Sequence, residues 1–90
     1  MATILIPTPL RKFTGNTAKL LTSGISISEI LVELVQQYPL LQKHLLDSDG
    51  RLRSFINVFV DEDDIRNLDF ENTEVRSNSI ISIVPAIAGG

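Results

Sequence analysis

Apolar positions fall into short β-branched runs with one stretch of helical periodicity between them. "TILI" (Thr3 to Ile6) has the composition of a strand, and Pro7 and Pro9 close it because they cannot donate to a ladder. A polar turn through Arg11, Lys12 and Thr14-Gly15-Asn16 leads to "AKLLT" (Ala18 to Thr22), a returning strand that makes a hairpin with a longish loop. Ser26 followed by Glu29 is a capping box, and Ile25 and Ile30 stand at the spacing of a hydrophobic staple across it. Ile27, Ile30, Leu31, Leu34 and Tyr38 then share one helical face, with Glu33, Gln36 and Gln37 opposite, until Pro39 ends the helix. "LLQKHLL" reads as a short irregular turn and "DSDG" (Asp47 to Gly50) as a loop. "SFINVFV" (Ser54 to Val60) is a strand, residues 61–78 are mostly turn with a very short strand at Ile65-Arg66, and "SIISIV" (Ser79 to Val84) is a strongly β-branched strand stopped by Pro85.

The order strand, strand, helix, strand, short strand, strand predicts an α+β fold. One main helix packs on one face of a mixed sheet of four to five strands. The first and last strands are the most continuously apolar, which places them adjacent, central and covered by the helix. That arrangement is the β-grasp, the ubiquitin-like architecture. Alternation along residues 54–60 turns Ile56, Val58 and Val60 to one face and Phe55, Asn57 and Phe59 to the other. If the first set faces the helix, Phe55 and Phe59, together with Leu5, lie on the open side. There they either form a docking patch or are covered by the 66–78 loop through Phe70, its apolar anchor; alternation alone leaves both open.

Composition narrows the function. Ninety residues make one domain, and the 43% apolar and 21% charged shares are those of an ordinary globular chain, so disorder is not expected. The expected division is a folded domain over residues 1–85 and a flexible tail over 86–90. Without cysteine the chain offers no disulfide, thiolate metal site or cysteine nucleophile. No basic leader or membrane-length apolar run is present, which suits a soluble, cytoplasmic protein with no membrane partner. A net charge of −3 argues against a nucleic-acid partner and for steering towards a basic surface on a protein partner.

Catalytic constellations are scarce. "DEDD" (Asp61 to Asp64) lacks the spacing and the glycine of a calcium loop and reads as a solvated turn, so no metal is assigned. His44 has no nucleophile or ligand partner in the sequence and reads as structural or surface. Ser26 and Ser28 belong to the helix start; Arg11 and Lys12 read first as solvated loop charges, with partner contacts as the alternative. No glycine-rich phosphate loop occurs, so no bound cofactor is expected.

The remaining signal is the end, "VPAIAGG" (Val84 to Gly90). Residues 86–90, extended, reach roughly 17 Å beyond Pro85. Gly89 and Gly90 lack a Cβ, so a narrow channel can close round them, and Ala86 and Ala88 stay small. Ile87 is the one side chain of the tail that a partner pocket can read.

"ILIPTPLRKFTG", "FINVFVDEDDIR" and "SIISIVPAIAGG" together resemble the ubiquitin-like sulfur-carrier proteins of the MoaD/ThiS family over nearly the whole length. The resemblance implies a protein co-substrate, not an enzyme. Gly90 carries the reactive carboxylate, ionised at neutral pH. An adenylating, ubiquitin-activating-like partner joins it to AMP using ATP, and sulfur then displaces AMP to leave a thiocarboxylate. Gly89, Ala86, Ile87 and Ala88 enter the partners' channels, and the open sheet face with Phe55 and Phe59 meets the activating enzyme. The sulfur acceptor it implies is a pyridoxal-phosphate cysteine synthase, the look of this chain being nearest the cysteine-synthesis branch. The alternative is the large subunit of molybdopterin synthase, and a further one is conjugation to lysines as a ubiquitin-like modifier. A departure from many members is Ser77-Asn78-Ser79 before the last strand, in place of an Asp-Gly-Asp type turn; Asn tolerates the left-handed conformation such turns use.

Overall fold

The computed structural model describes residues 1–85. Its strands are β1 (Ala2–Leu5), β2 (Lys19–Thr22), β3 (Ile56–Val60), β4 (Asp63–Asp64) and β5 (Ile80–Pro85), and its helices α1 (Ile27–Gln37) and α2 (Gln42–Leu45). The sheet order is β2-β1-β5-β3-β4, with β1 and β5 parallel and the other pairs antiparallel. The expected β-grasp is present, and β5 lies at its centre.

Two periodicities make one core. Ala2, Ile4 and Ile6 from β1 and its extension, Ile56, Val58 and Val60 from β3, and Ile81 and Ile83 from β5 are all buried on one side of the sheet. Ile27, Ile30, Leu31 and Leu34 of α1 bury against them. Each aliphatic side chain so buried stabilises the fold by about 1.5–3 kcal/mol before conformational entropy is counted.

Some local expectations are corrected. Instead of a plain polar turn, Thr8–Phe13 forms a 3-10 helix with Pro at its start, burying Leu10. Residues 39–46 are no irregular turn; a 3-10 turn and α2 bury Leu41, Leu45 and Leu46, because Pro39 can begin a new helical segment while ending the last one. The short strand is Asp63–Asp64, two residues earlier than expected, and Ile65 begins a 3-10 turn capped by the Asp64 carboxylate accepting from Arg66 N–H at 2.9 Å. Phe70 is no anchor: it is 55% exposed, and Ile65 and Val75 are the buried apolar residues of this segment. Among the described residues, the non-glycine ones with left-handed backbone are Asn16, Asp61 and Phe70; Asn78 is not one of them, so that turn does without the conformation.

The capping box forms with a shift. Ser26 Oγ accepts from Glu29 N–H at 3.2 Å, but the Glu29 carboxylate reaches Ile25 N–H at 3.4 Å, one residue beyond the cap. The staple does not form, since Ile25 is 65% exposed. Ile30 packs on the backbone of Gly24 instead, where a Cβ would meet Ile30 Cγ1 at 2.7 Å. Ile30 is buried and has little room to yield. Gly24→Ala is therefore expected to destabilise the protein by about 1–3 kcal/mol in urea unfolding; an unchanged midpoint would show that the core relaxes freely there.

Candidate functional site

β5 runs through the middle of the sheet and carries the chain out at Pro85, which pairs with Ile56 at the start of β3. The described chain thus ends on a ladder position paired with β3, while the pairing of β5 with β1 ends three residues earlier at Ser82. Proline at this position cannot donate a further ladder bond. Ala86, Ile87, Ala88, Gly89 and Gly90, to which the sequence assigns the reactive and channel-entering roles, lie outside the described residues.

The open face of the sheet is the second element. Register places Lys19, Leu5, Ser82, Phe59 and Asp64 in one row across it. Leu5 and Phe59 thus flank Ser82, about 9–10 Å apart at two strand spacings. Leu21, Ile80 and Val84 are exposed on the same face. The 66–78 loop does not cover it. Thr73 accepts from Ile27 N–H and Val75 donates to Ile25 C=O, so the loop runs beside the start of α1 on the opposite side. Phe70 lines a pocket with the inward-facing Ile56 and Val58.

Phe55 needs a correction. β3 begins at Ile56, so Phe55 lies in the preceding turn rather than in the strand. It is 46% exposed and precedes the strand in which Phe59 stands three residues from the first position. The two aromatics are not one cluster: Phe59 is mid-sheet, half-buried, and Phe55 is close to the root of the tail.

Sequence reasoning named Arg11 and Lys12 but did not join them with Lys43, Arg53 and Arg66 at that root, because these basic side chains come from four separate segments. Lys12 Nζ lies 5.2 Å from the centre of the Phe13 ring, and Phe13 stacks on His44 with ring centres 4.3 Å apart. Arg53 Nε donates to the Lys43 carbonyl at 2.8 Å, Arg66 Nη2 to Ser54 C=O at 2.6 Å, and Arg11 Nε to Ile6 C=O at 3.0 Å. Burial, then the charges of Lys43, Lys12 and Arg53, hold the His44 pKa below its ordinary value.

That lowering has a measurable consequence. Above the ordinary histidine range the ring is neutral whether folded or unfolded, and stability is full. As pH falls through that range towards the folded-state value, the unfolded chain takes up the proton first, and stability declines. The melting temperature is expected to drop between about pH 7 and pH 5, and His44→Phe, which keeps the stack on Phe13, should flatten the drop. Parallel curves for the two proteins would remove His44 from the account.

The "DEDD" acids have structural uses among the described residues. Asp61 takes the left-handed conformation and its carboxylate accepts from Ile80 N–H at 3.1 Å, while Asp63 and Asp64 form β4 and Asp64 caps the next turn.

The ThiS family matches residues 4–90, which spans both β5 and the tail beyond it. The chain belongs to the ThiS family. Among its relatives is the sulfur carrier protein CysO of Mycobacterium tuberculosis, 32% identical over 90 residues that cover 98% of this chain and 97% of that protein. The crystal structure of CysO in the BexX/CysO complex of Amycolatopsis orientalis superposes with a TM-score of 0.90 at 31% identity, covering all of both chains. The solution structure of the small archaeal modifier protein 1 of Methanosarcina acetivorans gives 0.87 at 25% identity, over 99% of this chain and 95% of that one. The ThiS match and these structures share the ubiquitin-like β-grasp found here. Among the described residues, no helix is long and apolar enough to cross a membrane.

Proposed function

We propose that this ThiS-family chain is a sulfur carrier, a protein co-substrate that delivers sulfur from its own terminal carbonyl carbon, and that the sulfur goes to cysteine synthesis. The observation that carries the reading is the family match running through residue 90, on a chain whose central strand leads directly to the tail.

The chemistry follows from the weakness of a carboxylate as an electrophile. A Gly90 carboxylate oxygen attacks the α-phosphorus of ATP in a partner's site and releases pyrophosphate. The acyl-adenylate then has a good leaving group: sulfide adds to the carbonyl carbon, AMP departs, and a thiocarboxylate remains. Its sulfur is the nucleophile offered to the acceptor, an activated serine derivative held on a pyridoxal-phosphate enzyme. Identity of 32% to CysO proteins supports the cysteine branch over the pterin branch. The carrier supplies the carbonyl carbon and its presentation; ATP is bound by the partner.

Incubation with ATP, sulfide and the organism's adenylating enzyme, followed by intact-protein mass spectrometry, tests the reading. Exchange of one terminal oxygen for sulfur is the expected result, and an unmodified mass with an enzyme that adenylates another carrier would overturn it. The likeness to an archaeal modifier protein favours one second reading, conjugation to lysine amines. Gly-Gly remnants on lysines of other proteins would support that instead.

A further inference from the structure

The chain carries a net charge of −3, yet its charges are segregated end to end. Asp61, Glu62, Asp63 and Asp64 occupy the turn and strand after β3, and Glu29 and Glu74 sit at the start of α1, all at the end of the sheet remote from Pro85. Lys12, Lys43, Arg53 and Arg66 lie at the other end, where β5 leaves the sheet, with Arg11 beside them. The expectation of steering towards a basic partner surface came from net charge alone and does not describe this end.

We propose that Lys12, Lys43, Arg53 and Arg66 form a basic collar round the tail root that docks on an acidic protein rim, the rim of the opening that admits residues 86–90. The inference rests on the tail-delivery reading above, and it adds which surface chemistry the partners share.

Three observations carry it. First, the collar is continuous: Lys12 covers Phe13, Phe13 stacks on His44, and Lys43 takes the Arg53 guanidinium on its carbonyl. Arg66 is tied to Ser54, two residues from the Ile56 that pairs with Pro85. Second, the two guanidiniums are held by backbone carbonyls at 2.8 and 2.6 Å, and each of these bonds engages one donor of a five-donor fork. A planar fork fixed in this way loses little freedom on meeting a carboxylate. Third, residues 86–90 carry no charged side chain, so any channel that reads them gains no side-chain electrostatics from the tail itself. The one charge of the tail is its terminal carboxylate, which an acidic rim repels, so attraction of this end to such a rim must come from the scaffold; charges on an interface rim act chiefly on association rate and orientation.

The collar is not purely cationic. Asp47 and Glu71 lie near it, Asp47 beside Lys43 and Arg53 at one pocket and Glu71 beside Arg53 and Arg66 at another. The Asp47 carboxylate is engaged by the N–H groups of Asp49 and Arg51 at 2.9 and 3.0 Å.

The experiment uses the full chain and two readouts. In the first, adenylation by the organism's activating enzyme is followed at rising salt for the wild type, for Lys12→Glu/Lys43→Glu and for Arg76→Glu, which alters the remote end. The double reversal should raise KM by roughly tenfold to a hundredfold with kcat unchanged, and wild-type KM should climb with salt. Arg76→Glu should match the wild type. In the second, the ¹⁵N-labelled protein is titrated with the peptide acetyl-(Asp-Glu)₄-amide, and the perturbed amides should map to residues 11–13, 43–44, 53 and 66. Should the double reversal fail to fold, as shown by its circular dichroism melt, Lys12→Gln/Lys43→Gln replaces it. An unchanged KM together with salt-independent kinetics would overturn the collar, as would stronger binding of RNA or anionic vesicles than of the peptide. If the wild type is never adenylylated, the carrier reading falls, and the peptide map alone decides the collar.

Discussion

A single alanine added after Gly90 is expected to abolish thiocarboxylate formation while leaving the melting temperature unchanged. The extended chain still ends in a carboxylate, so the test concerns position, not the presence of the group. One extra residue moves the reactive carbon by about 3.3–3.6 Å along an extended tail. A misplacement of about 1 Å can already cost a factor of roughly a hundred in rate where reacting atoms are held in line. The scaffold fixes the point from which the tail leaves, because β5 pairs with β1 as far as Ser82 and with β3 as far as Pro85. Stability is untouched because the core closes within residues 2–83. Intact mass after reaction with ATP, sulfide and the activating enzyme gives the answer, and sulfur incorporation at the wild-type rate would remove Gly90 from the reactive position.

Much of the scaffold was legible because its two periods are clean. Ile27, Ile30, Leu31 and Leu34 repeat at the helical spacing and are buried, and Ile56, Val58 and Val60 alternate and are buried. The central position of β5 followed from its run of β-branched residues. What failed was decided by contacts between distant segments. Phe70 looks like an anchor because it is the aromatic of a polar stretch, yet Ile65 and Val75 reach the core and leave it outside. Ile25 has the spacing of a staple, but Gly24 offers Ile30 a closer surface. Strand alternation says nothing of where a strand starts, so it groups Phe55 with Phe59 although the ladder begins one residue later. The basic collar was invisible for the same reason: its members are far apart in sequence, and only the stacking of Phe13 on His44 and the reach of Arg53 and Arg66 unite them.

The open face yields the other large effect, and Phe59→Lys isolates it. Phe59 is half-buried mid-sheet, beside Ser82 and opposite Asp64 on β4. Leu5 and Phe59 stand on either side of Ser82 in the same row of the open face, so a partner's apolar side chain would meet both. Truncating a central aromatic of such an interface typically costs at least about 2 kcal/mol, or roughly thirtyfold in affinity. Lysine is the informative replacement because it faces Asp64 across the β3–β4 pair, and opposite charges directly across a pair support the sheet by about 0.2–1 kcal/mol. The fold is thus compensated while the aromatic is lost. The KM for adenylation should rise about thirtyfold or more, with the melting temperature within a few degrees of wild type. The effect differs from that of the collar in its salt response. The apolar loss persists at high salt, where the charge of the added lysine is screened, whereas the collar variant converges on the wild type as salt rises. A KM within twofold of wild type would mean that the activating enzyme holds this chain by its tail and collar alone.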